Sequence, residues 1–174
     1  GHAWFIEKVL TQLNHPCHYL LVGDGPERET ILNAVNRNAE TLAERHIHVH
    51  ILGRKSDYWV HKAYTAADVF MMPNVKVEGD MEGFGIVLLE ANLHFTPVFC
   101  SDLEGMKDVV EQGVNGFKVK SERPMEYVKE LERLLSSDSL LPLSLMGCRY
   151  VWENFQWDKV AEQYNQYLCQ VTAV

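Results

Sequence analysis

The chain has 174 residues, enough for one domain with a sizeable core, and 47% of its residues are hydrophobic, as is usual for globular proteins. Its formal net charge of −8 argues against nucleic-acid binding, which needs a basic surface, and against direct attachment to an anionic membrane. No apolar run approaches the roughly 20 residues of a membrane-spanning helix, and no secretory signal is visible. We therefore expect residues 1–174 to form a single cytoplasmic domain.

The cysteines support the same compartment. Cys17, Cys100, Cys148 and Cys169 lie far apart in the sequence and form no Cys-x-x-Cys pair. Such spacing is typical of reduced thiols in a reducing compartment and not of disulfides or metal ligands.

The first half of the chain alternates helical and strand patterns. Apolar residues at helical spacing predict a helix over 3–13, and a short strand follows over 17–22. The turn Gly23-Asp24-Gly25-Pro26 ends that strand. The next predicted elements are a helix over 27–43, a strand over 46–52 closed by Gly53, a helix over 58–67 and a strand over 68–72.

The second half continues the alternation and then becomes helical. The predicted elements are a strand over 97–100, a short helix over 106–111, a strand over 117–119 and helices over about 124–136, 140–154 and 157–170. Short apolar strands between helices predict a doubly wound parallel sheet, a Rossmann-like α/β fold. Ligands bind such sheets beyond the carboxyl ends of the strands, where the glycine turns at 23–25, 53 and 83–85 fall.

Residues 82–90 read Glu-Gly-Phe-Gly-Ile-Val-Leu-Leu-Glu. Gly83 and Gly85 allow a sharp turn close to a ligand, and the apolar run predicts a buried helix that begins at about Phe84. The first N–H groups of that helix lack partners within it and lie at its positive end, which suits a phosphate.

An acid stands on each side of these amides. Glu82 precedes the turn, and Glu90 follows about two helical turns later, so both can accept hydrogen bonds from hydroxyls. A nucleotide-sugar has hydroxyls at both ends and phosphates between them. Spacing alone is weak support, because Glu122 and Glu130 have the same separation without glycines.

Three histidines suggest a metal site as an alternative. His46, His48 and His50 alternate along a predicted strand and so share one face. Three imidazoles can bind zinc, but the polar face of an edge strand explains the pattern as well. Since no carboxylate or cysteine partner is obvious, we expect no metal.

Several motifs together resemble the C-terminal domain of GT-B glycosyltransferases, specifically the retaining family 4, also called glycosyl transferases group 1. They lie at 22–26 (Val-Gly-Asp-Gly-Pro), 51–54 (Ile-Leu-Gly-Arg), 66–73 (Ala-Ala-Asp-Val-Phe-Met-Met-Pro), 82–91, 97–102 (Pro-Val-Phe-Cys-Ser-Asp) and 113–117 (Gly-Val-Asn-Gly-Phe). Their order and spacing carry the resemblance, which runs along the whole chain.

The resemblance implies roles for individual residues. Glu82 would accept hydrogen bonds from the donor sugar at the catalytic centre, and Glu90 would bind the ribose hydroxyls. The backbone amides of Phe84, Gly85 and Ile86 would hold the diphosphate.

The remaining implied contacts belong to the donor cleft. The main chain around Arg54 would meet the nucleobase, while Gly23 and Gly25 would line the cleft. The resemblance also implies transfer with retained anomeric configuration from a nucleoside diphosphate sugar, without a metal or another cofactor.

The chain departs from the family pattern in places. Residues 92–97 read Asn-Leu-His-Phe-Thr-Pro, where the family often has a small residue and a glycine before the proline. Glu104 stands at a position that is often glycine. Either difference would reshape the pocket without touching the proposed phosphate amides.

The resemblance also implies parts that would precede Gly1. They are the first, central strand of the sheet, an Arg and a Lys for the diphosphate, and an N-terminal acceptor domain. Gly1-His2 itself fits either the family junction or a tag remnant. We expect an unpaired sheet edge near 19–22 or 69–72, able to recruit a second copy, and no sugar transfer by this chain alone.

Two other functions remain open at this point. The chain fits a non-catalytic module that binds nucleotide-sugars, or a GT-B relative with other chemistry, such as a nucleotide-sugar epimerase. A generic dinucleotide-binding domain is disfavoured, because residues 23–26 lack the third glycine of that fingerprint.

Overall fold

The computed structural model describes residues 1–79, 83–136 and 140–172, with residues 104, 171 and 172 described for their backbone alone. The helices are α1 (His2–Lys8), α2 (Arg28–Arg37), α3 (Ala39–Glu44), α4 (Asp57–Ala66), α5 (Ile86–Leu93), α6 (Glu104–Lys107), α7 (Pro124–Leu135), α8 (Leu140–Asn154) and α9 (Trp157–Thr172). The strands are β1 (Cys17–Val22), β2 (Ile47–Gly53), β3 (Phe70–Met72), β4 (Val98–Ser101) and β5 (Gly116–Val119). A 3₁₀ turn, Leu10–Gln12, follows α1.

All of these strands pair in parallel, as the sequence predicts. Strands β1 and β2 form one ladder that begins with Cys17 opposite Ile47. Strands β3, β4 and β5 form the other, in that order. Parallel neighbours need a crossover between them, and the helices between successive strands supply it.

The strands are covered by helices on both faces, which is the doubly wound arrangement. On β4 the side chains alternate, so that Phe99 joins one buried cluster and its neighbours Val98 and Cys100 join the other. The Phe99 cluster includes Phe5 of α1 and Tyr127 of α7, both fully buried. Residues from α1, α2, α3, α7 and α8 belong to this cluster, whereas α4, α5 and α6 contribute to the other.

Several helix boundaries differ from the prediction; α1, predicted over 3–13, ends at Lys8 and is followed by the 3₁₀ turn. The helix predicted over 27–43 is interrupted at Asn38, whose backbone (φ −111°, ψ 14°) leaves the helical conformation. The Asn38 side chain donates to the carbonyl of Ala34 over 2.8 Å and so competes with the backbone ladder. Helix α6 begins two residues earlier than predicted and ends at Lys107.

The sheet is divided between β1 and β3. Among the described strands, β1 pairs with β2 and β3 pairs with β4, so one edge of each faces away from its partner. All six residues of β1 and all three of β3 line one cavity of 890 Å³. The expected unpaired edge near 19–22 or 69–72 is therefore present at both positions.

Candidate functional site

The carboxyl ends of β1 and β2 are joined by their glycines. The N–H of Gly23 (φ 142°) donates to the carbonyl of Gly53 over 3.0 Å. The Asp24 carboxylate accepts a hydrogen bond from the N–H of Gly25 over 3.1 Å, which holds the turn after β1. Gly53 and Arg54 therefore lie beside the glycine turn, at the carboxyl edge of the sheet.

The cavity between β1 and β3 extends to this edge. Its lining includes Gly23 and Gly25 from the turn after β1, and Val87 from the first turn of α5. Arg28 and Asn74 also line it and supply a cation and an amide. The fold therefore brings two sequence-predicted motifs, the glycine turn and the start of α5, to a single cavity.

Helix α5 begins at Ile86, so the prediction that it begins at about Phe84 is wrong. Gly85 is the N-cap and has a left-handed backbone (φ 68°, ψ 45°), which cannot continue a right-handed helix. Its carbonyl accepts the N–H of Leu88 over 2.9 Å. Within the described residues, the N–H groups of Ile86 and Val87 donate to no acceptor. The amides at the positive end of α5 are thus those of Ile86 and Val87, of which only Ile86 was predicted.

The prediction that this helix is buried is also wrong in part. Leu88 and Ala91 are fully buried and belong to the cluster that contains Val98 and Cys100 of β4. Ile86 is 63% exposed, and Val87 and Leu93 are exposed as well, because the helix buries a single face. Solvent therefore reaches the first turn of α5, where a ligand would have to approach.

The other predicted residues of this turn have mixed outcomes. Gly83 and Phe84 are exposed. Glu82 lies outside the described residues. Its proposed role, and its distance from Glu90, stay predictions.

Glu90 is exposed on α5 and is held from two directions. The buried hydroxyl of Tyr64, on α4, donates to Glu90 Oε2 over 3.1 Å. The backbone carbonyl of Glu90 accepts from the His94 Nδ1–H over 2.8 Å, and His94 Nε2 lies 2.8 Å from His61 Nδ1. Burial raises the pKa of Tyr64, and the charge of Glu90 and this hydrogen bond raise it further. The phenol therefore stays protonated and serves as a donor.

Arg54 follows Gly53 and is exposed. Neither Arg54 nor Glu90 belongs to the described lining of the cavity, whereas Gly23 and Gly25 do. The predicted site residues are therefore divided: Gly23 and Gly25 line the cavity together with Val87 of α5, whereas Arg54 and Glu90 lie outside its described lining.

The histidines differ from the prediction. His46 has a left-handed backbone (φ 56°) before β2 begins at Ile47, so it does not continue the strand pattern. The ring of His18, on β1, stacks on the rings of His48 and His50 instead. The centroid distances are 5.0 Å and 5.2 Å, respectively. Within the described ranges, no group of three or more His, Cys, Asp or Glu side chains has the geometry to hold a metal ion.

The structure also shows two general properties of the chain. In the part that the structure describes, no helix has the length and apolarity that crossing a bilayer would require. Cys100 is buried in the sheet, and burial raises the pKa of its thiol to about 12, so it stays a protonated thiol.

Comparisons with known proteins show what this chain is similar to. The family model for glycosyl transferases group 1 matches residues 1–137. D-inositol 3-phosphate glycosyltransferase of Streptomyces bingchenggensis is 36% identical over 98 residues, which are 56% of this chain and 20% of that protein. Phosphatidyl-myo-inositol mannosyltransferase of Mycobacterium leprae is 31% identical over 144 residues, which are 83% of this chain and 35% of that protein.

A solved structure shows the same fold. The crystal structure of HepE from Anabaena in complex with UDP-glucose superimposes with a TM-score of 0.75 at 21% identity, covering 98% of this chain and 45% of that one. Fold and comparisons together define a Rossmann-like domain of the GT-B type. The chain belongs to the group 1 glycosyltransferase family, and it spans between a fifth and about a third of the two curated relatives above.

Sequence reasoning missed the residues that hold Glu90. His61 and Tyr64 lie one turn apart on α4 and so share a face, which helical spacing alone indicates. Tyr64 is 26 residues away from Glu90, and only the crossover through β3 brings α4 against α5. No local pattern in the sequence pairs these two helices.

Proposed function

We propose that this chain is the donor-binding domain of a retaining glycosyltransferase that moves a sugar from a nucleoside diphosphate sugar to an acceptor. One observation carries the proposal: the turn at Gly23 and Gly25 and the first turn of α5 line the same cavity at the carboxyl edge. Open amides at a helix start suit a diphosphate, and an exposed carboxylate on the same helix suits hydroxyls.

In this proposal each predicted residue has a place along the donor. The backbone amides of Phe84, Gly85 and Ile86 hold the diphosphate. The Glu90 carboxylate accepts hydrogen bonds from the ribose hydroxyls. Glu82 accepts the sugar hydroxyls at the catalytic centre. The crystal structures of HepE with UDP and with UDP-glucose support a nucleotide-sugar as the ligand of this fold.

The remaining parts of the proposal concern the rest of the reaction. Residues 1–174 act as one domain, and the main chain at Arg54 meets the nucleobase. Helix amides and cations such as Arg28 bear the leaving-group charge, so that no metal is needed. An N-terminal domain supplies the acceptor site, and we expect the chain by itself to transfer no sugar.

Calorimetric titration of UDP, GDP, ADP and their sugar conjugates into the purified chain tests this function. We expect at least one nucleoside diphosphate to bind. Glu90→Ala should weaken every ligand by about 1.5–3 kcal/mol, the value of a charge-assisted hydrogen bond, whereas Glu82→Ala should weaken only the sugar conjugates.

Glu126→Ala is the matched control, since Glu126 is an exposed acid on α7. It should leave every dissociation constant unchanged. Absence of binding by the parent chain would reject the donor-binding function. Binding without transfer by the full-length protein would favour the non-catalytic module, and interconversion of two nucleotide-sugars would favour an epimerase.

A further inference from the structure

We propose that Tyr64, His94 and His61 are positioning residues that orient the Glu90 carboxylate toward a vicinal diol, the two ribose hydroxyls of a nucleotide. This inference rests on the proposed function and deepens it. It concerns the stretch 92–97, where the chain departs from the family pattern and places His94 after α5.

Tyr64 holds the carboxylate from one side. Its hydroxyl lies 3.1 Å from Glu90 Oε2, and its side chain is only 8% exposed. The ring makes an edge contact with Phe70 at a centroid distance of 5.4 Å, and the Tyr64 carbonyl accepts from the Thr96 hydroxyl over 2.5 Å. The phenol is therefore fixed by packing before any ligand arrives.

His94 holds the backbone of the same residue, and its tautomer follows from its partners. The carbonyl of Glu90 can only accept, so Nδ1 of His94 carries the proton over the 2.8 Å contact. In the neutral ring Nε2 is then an acceptor, and His61 Nδ1 donates to it over 2.8 Å. The two histidines thus form a directional chain from α4 to the end of α5.

The two contacts together clamp α5 against α4. His61 and Tyr64 are one turn apart on α4, and their partners His94 and Glu90 are one turn apart along the chain of α5. The clamp restricts sliding of α5 along α4 and rotation of the Glu90 carboxylate.

The clamp also leaves the accepting capacity that a diol requires. A carboxylate offers about four lone-pair sites, and the Tyr64 hydroxyl takes one of them, on Oε2. No described residue donates to Oε1. A carboxylate whose direction is already set can therefore accept hydrogen bonds from two adjacent hydroxyls. Less side-chain entropy is then lost when the ligand binds.

Tyr64→Phe tests the clamp, because it removes the hydroxyl and keeps the buried ring. The titrations use whichever of UDP, GDP and ADP binds the parent chain, its 2′,3′-dideoxy counterpart and inorganic pyrophosphate. We expect Tyr64→Phe to weaken the ribonucleotide about 5- to 10-fold and to change the dideoxy nucleotide and pyrophosphate less than 2-fold.

Tyr58→Phe is the matched control. Tyr58 lies on the same helix, is 63% exposed, and loses the same hydroxyl without touching Glu90. It should leave all three ligands unchanged. A merely structural role for Tyr64 would weaken the ribonucleotide and the dideoxy nucleotide equally, and that result would overturn the inference.

A second pair of variants tests the histidine. His94→Phe removes both ring nitrogens and should weaken the ribonucleotide more than the dideoxy nucleotide. His94→Asn keeps a donor near the position of Nδ1 and should recover at least half of the lost affinity, as the change in log Kd. Equal effects of both variants on both nucleotides would contradict the positioning role. A parent chain that binds no nucleotide would overturn the proposed function and this inference with it.

Discussion

Gly83 and Gly85 stand two residues apart in one turn, but their backbones have different requirements. Gly85 has a left-handed conformation (φ 68°), and a Cβ there would lie 3.0 Å from the Cδ1 of buried Leu88. At Gly83 the φ is not left-handed, and no atom of the described residues lies within 4 Å of an added Cβ. The turn before α5 therefore depends on one glycine and not on both.

We predict that Gly85→Ala lowers the free energy of unfolding by about 1–2 kcal/mol, the cost of the left-handed backbone plus the displacement of Leu88. The same change should weaken pyrophosphate binding, because it redirects the N–H groups of Ile86 and Val87. Urea denaturation and calorimetric titration measure the two effects.

Gly83→Ala is the control for stability. It restricts the unfolded chain without strain in the folded one, so its unfolding free energy should stay within about 0.5 kcal/mol of the parent or rise slightly. Equal destabilisation by both alanines would show that the left-handed backbone at Gly85 is not the cause.

These two glycines show what the sequence predicts at the scale of a residue. The Gly-Phe-Gly pattern indicates a turn before a helix, and a turn is present. Which glycine requires the left-handed backbone depends on the packing of Leu88 and Met106, which lie far apart along the chain. The pattern therefore placed the helix start two residues too early.

At the scale of elements, two buried asparagines join α5, α8 and the loop before β5. Asn115 Nδ2 donates to Asn92 Oδ1 over 2.9 Å and to the carbonyl of Val109 over 3.0 Å. Its Oδ1 accepts the N–H of Glu111 over 2.7 Å. An added Cβ on Gly147 of α8 would lie 3.0 Å from Asn92 Nδ2, so α8 packs directly on this pair.

We predict that Asn115→Ala lowers the free energy of unfolding by about 2–5 kcal/mol. The substitution leaves two buried acceptors, Asn92 Oδ1 and the carbonyl of Val109, and the partly buried N–H of Glu111 without their partner. Each buried loss costs about 1–3 kcal/mol before water compensates. Denaturant unfolding followed by circular dichroism measures the change.

Asn36→Ala provides the comparison, since Asn36 is exposed on α2. That variant should unfold within about 0.5 kcal/mol of the parent. If Asn115→Ala were equally mild, the asparagine pair would contribute little to the packing of α5 against α8.

Elements differ in how far the sequence predicts them. The bounds predicted for β1, 17–22, are those observed, because a short apolar run between a proline and a glycine turn has few alternatives. The contacts of α4 with α5 were not predicted, although both helices were. Their pairing comes from the crossover handedness and from side chains such as Tyr64 and His94, whose partners are remote in sequence.

At the scale of the whole molecule, the sheet is incomplete between β1 and β3, because no described strand pairs with their facing edges. The N–H of Phe70 donates to Pro97 on the β4 side over 2.9 Å, so the N–H and C=O of Met71 point to the cavity side by strand alternation. Phe70 and Met71 pack on opposite faces of the sheet. A segment between β1 and β3 would thus be apolar on both sides.

The position of Gly1 indicates how such a segment would connect. A Cβ on Gly1 would collide with the carbonyl of Pro73, just beyond the carboxyl end of β3. A strand that runs parallel to β3 ends at that same edge and continues into α1 through a short loop. Helix α1 then leads to β1, which makes the connection an ordinary parallel crossover.

We predict that fusing about five apolar, β-branched residues and a short polar loop before Gly1 raises the free energy of unfolding by about 2–5 kcal/mol. Burying each apolar side chain contributes about 1.5–3 kcal/mol, and ordering its backbone costs about 1–2 kcal/mol, so the net gain is modest per residue. Chemical denaturation measures the stability, and amide hydrogen exchange at Met71 should slow in parallel.

In the matched control the central residue of the extension is proline, which lacks the N–H, so this extension should lose most of the gain in stability. Equal stabilisation by both extensions would mean that the segment does not pair as a strand. A dimer that forms in the parent chain and persists in the extended one would mean that a second copy, and not a strand joined to Gly1, occupies the edges of β1 and β3.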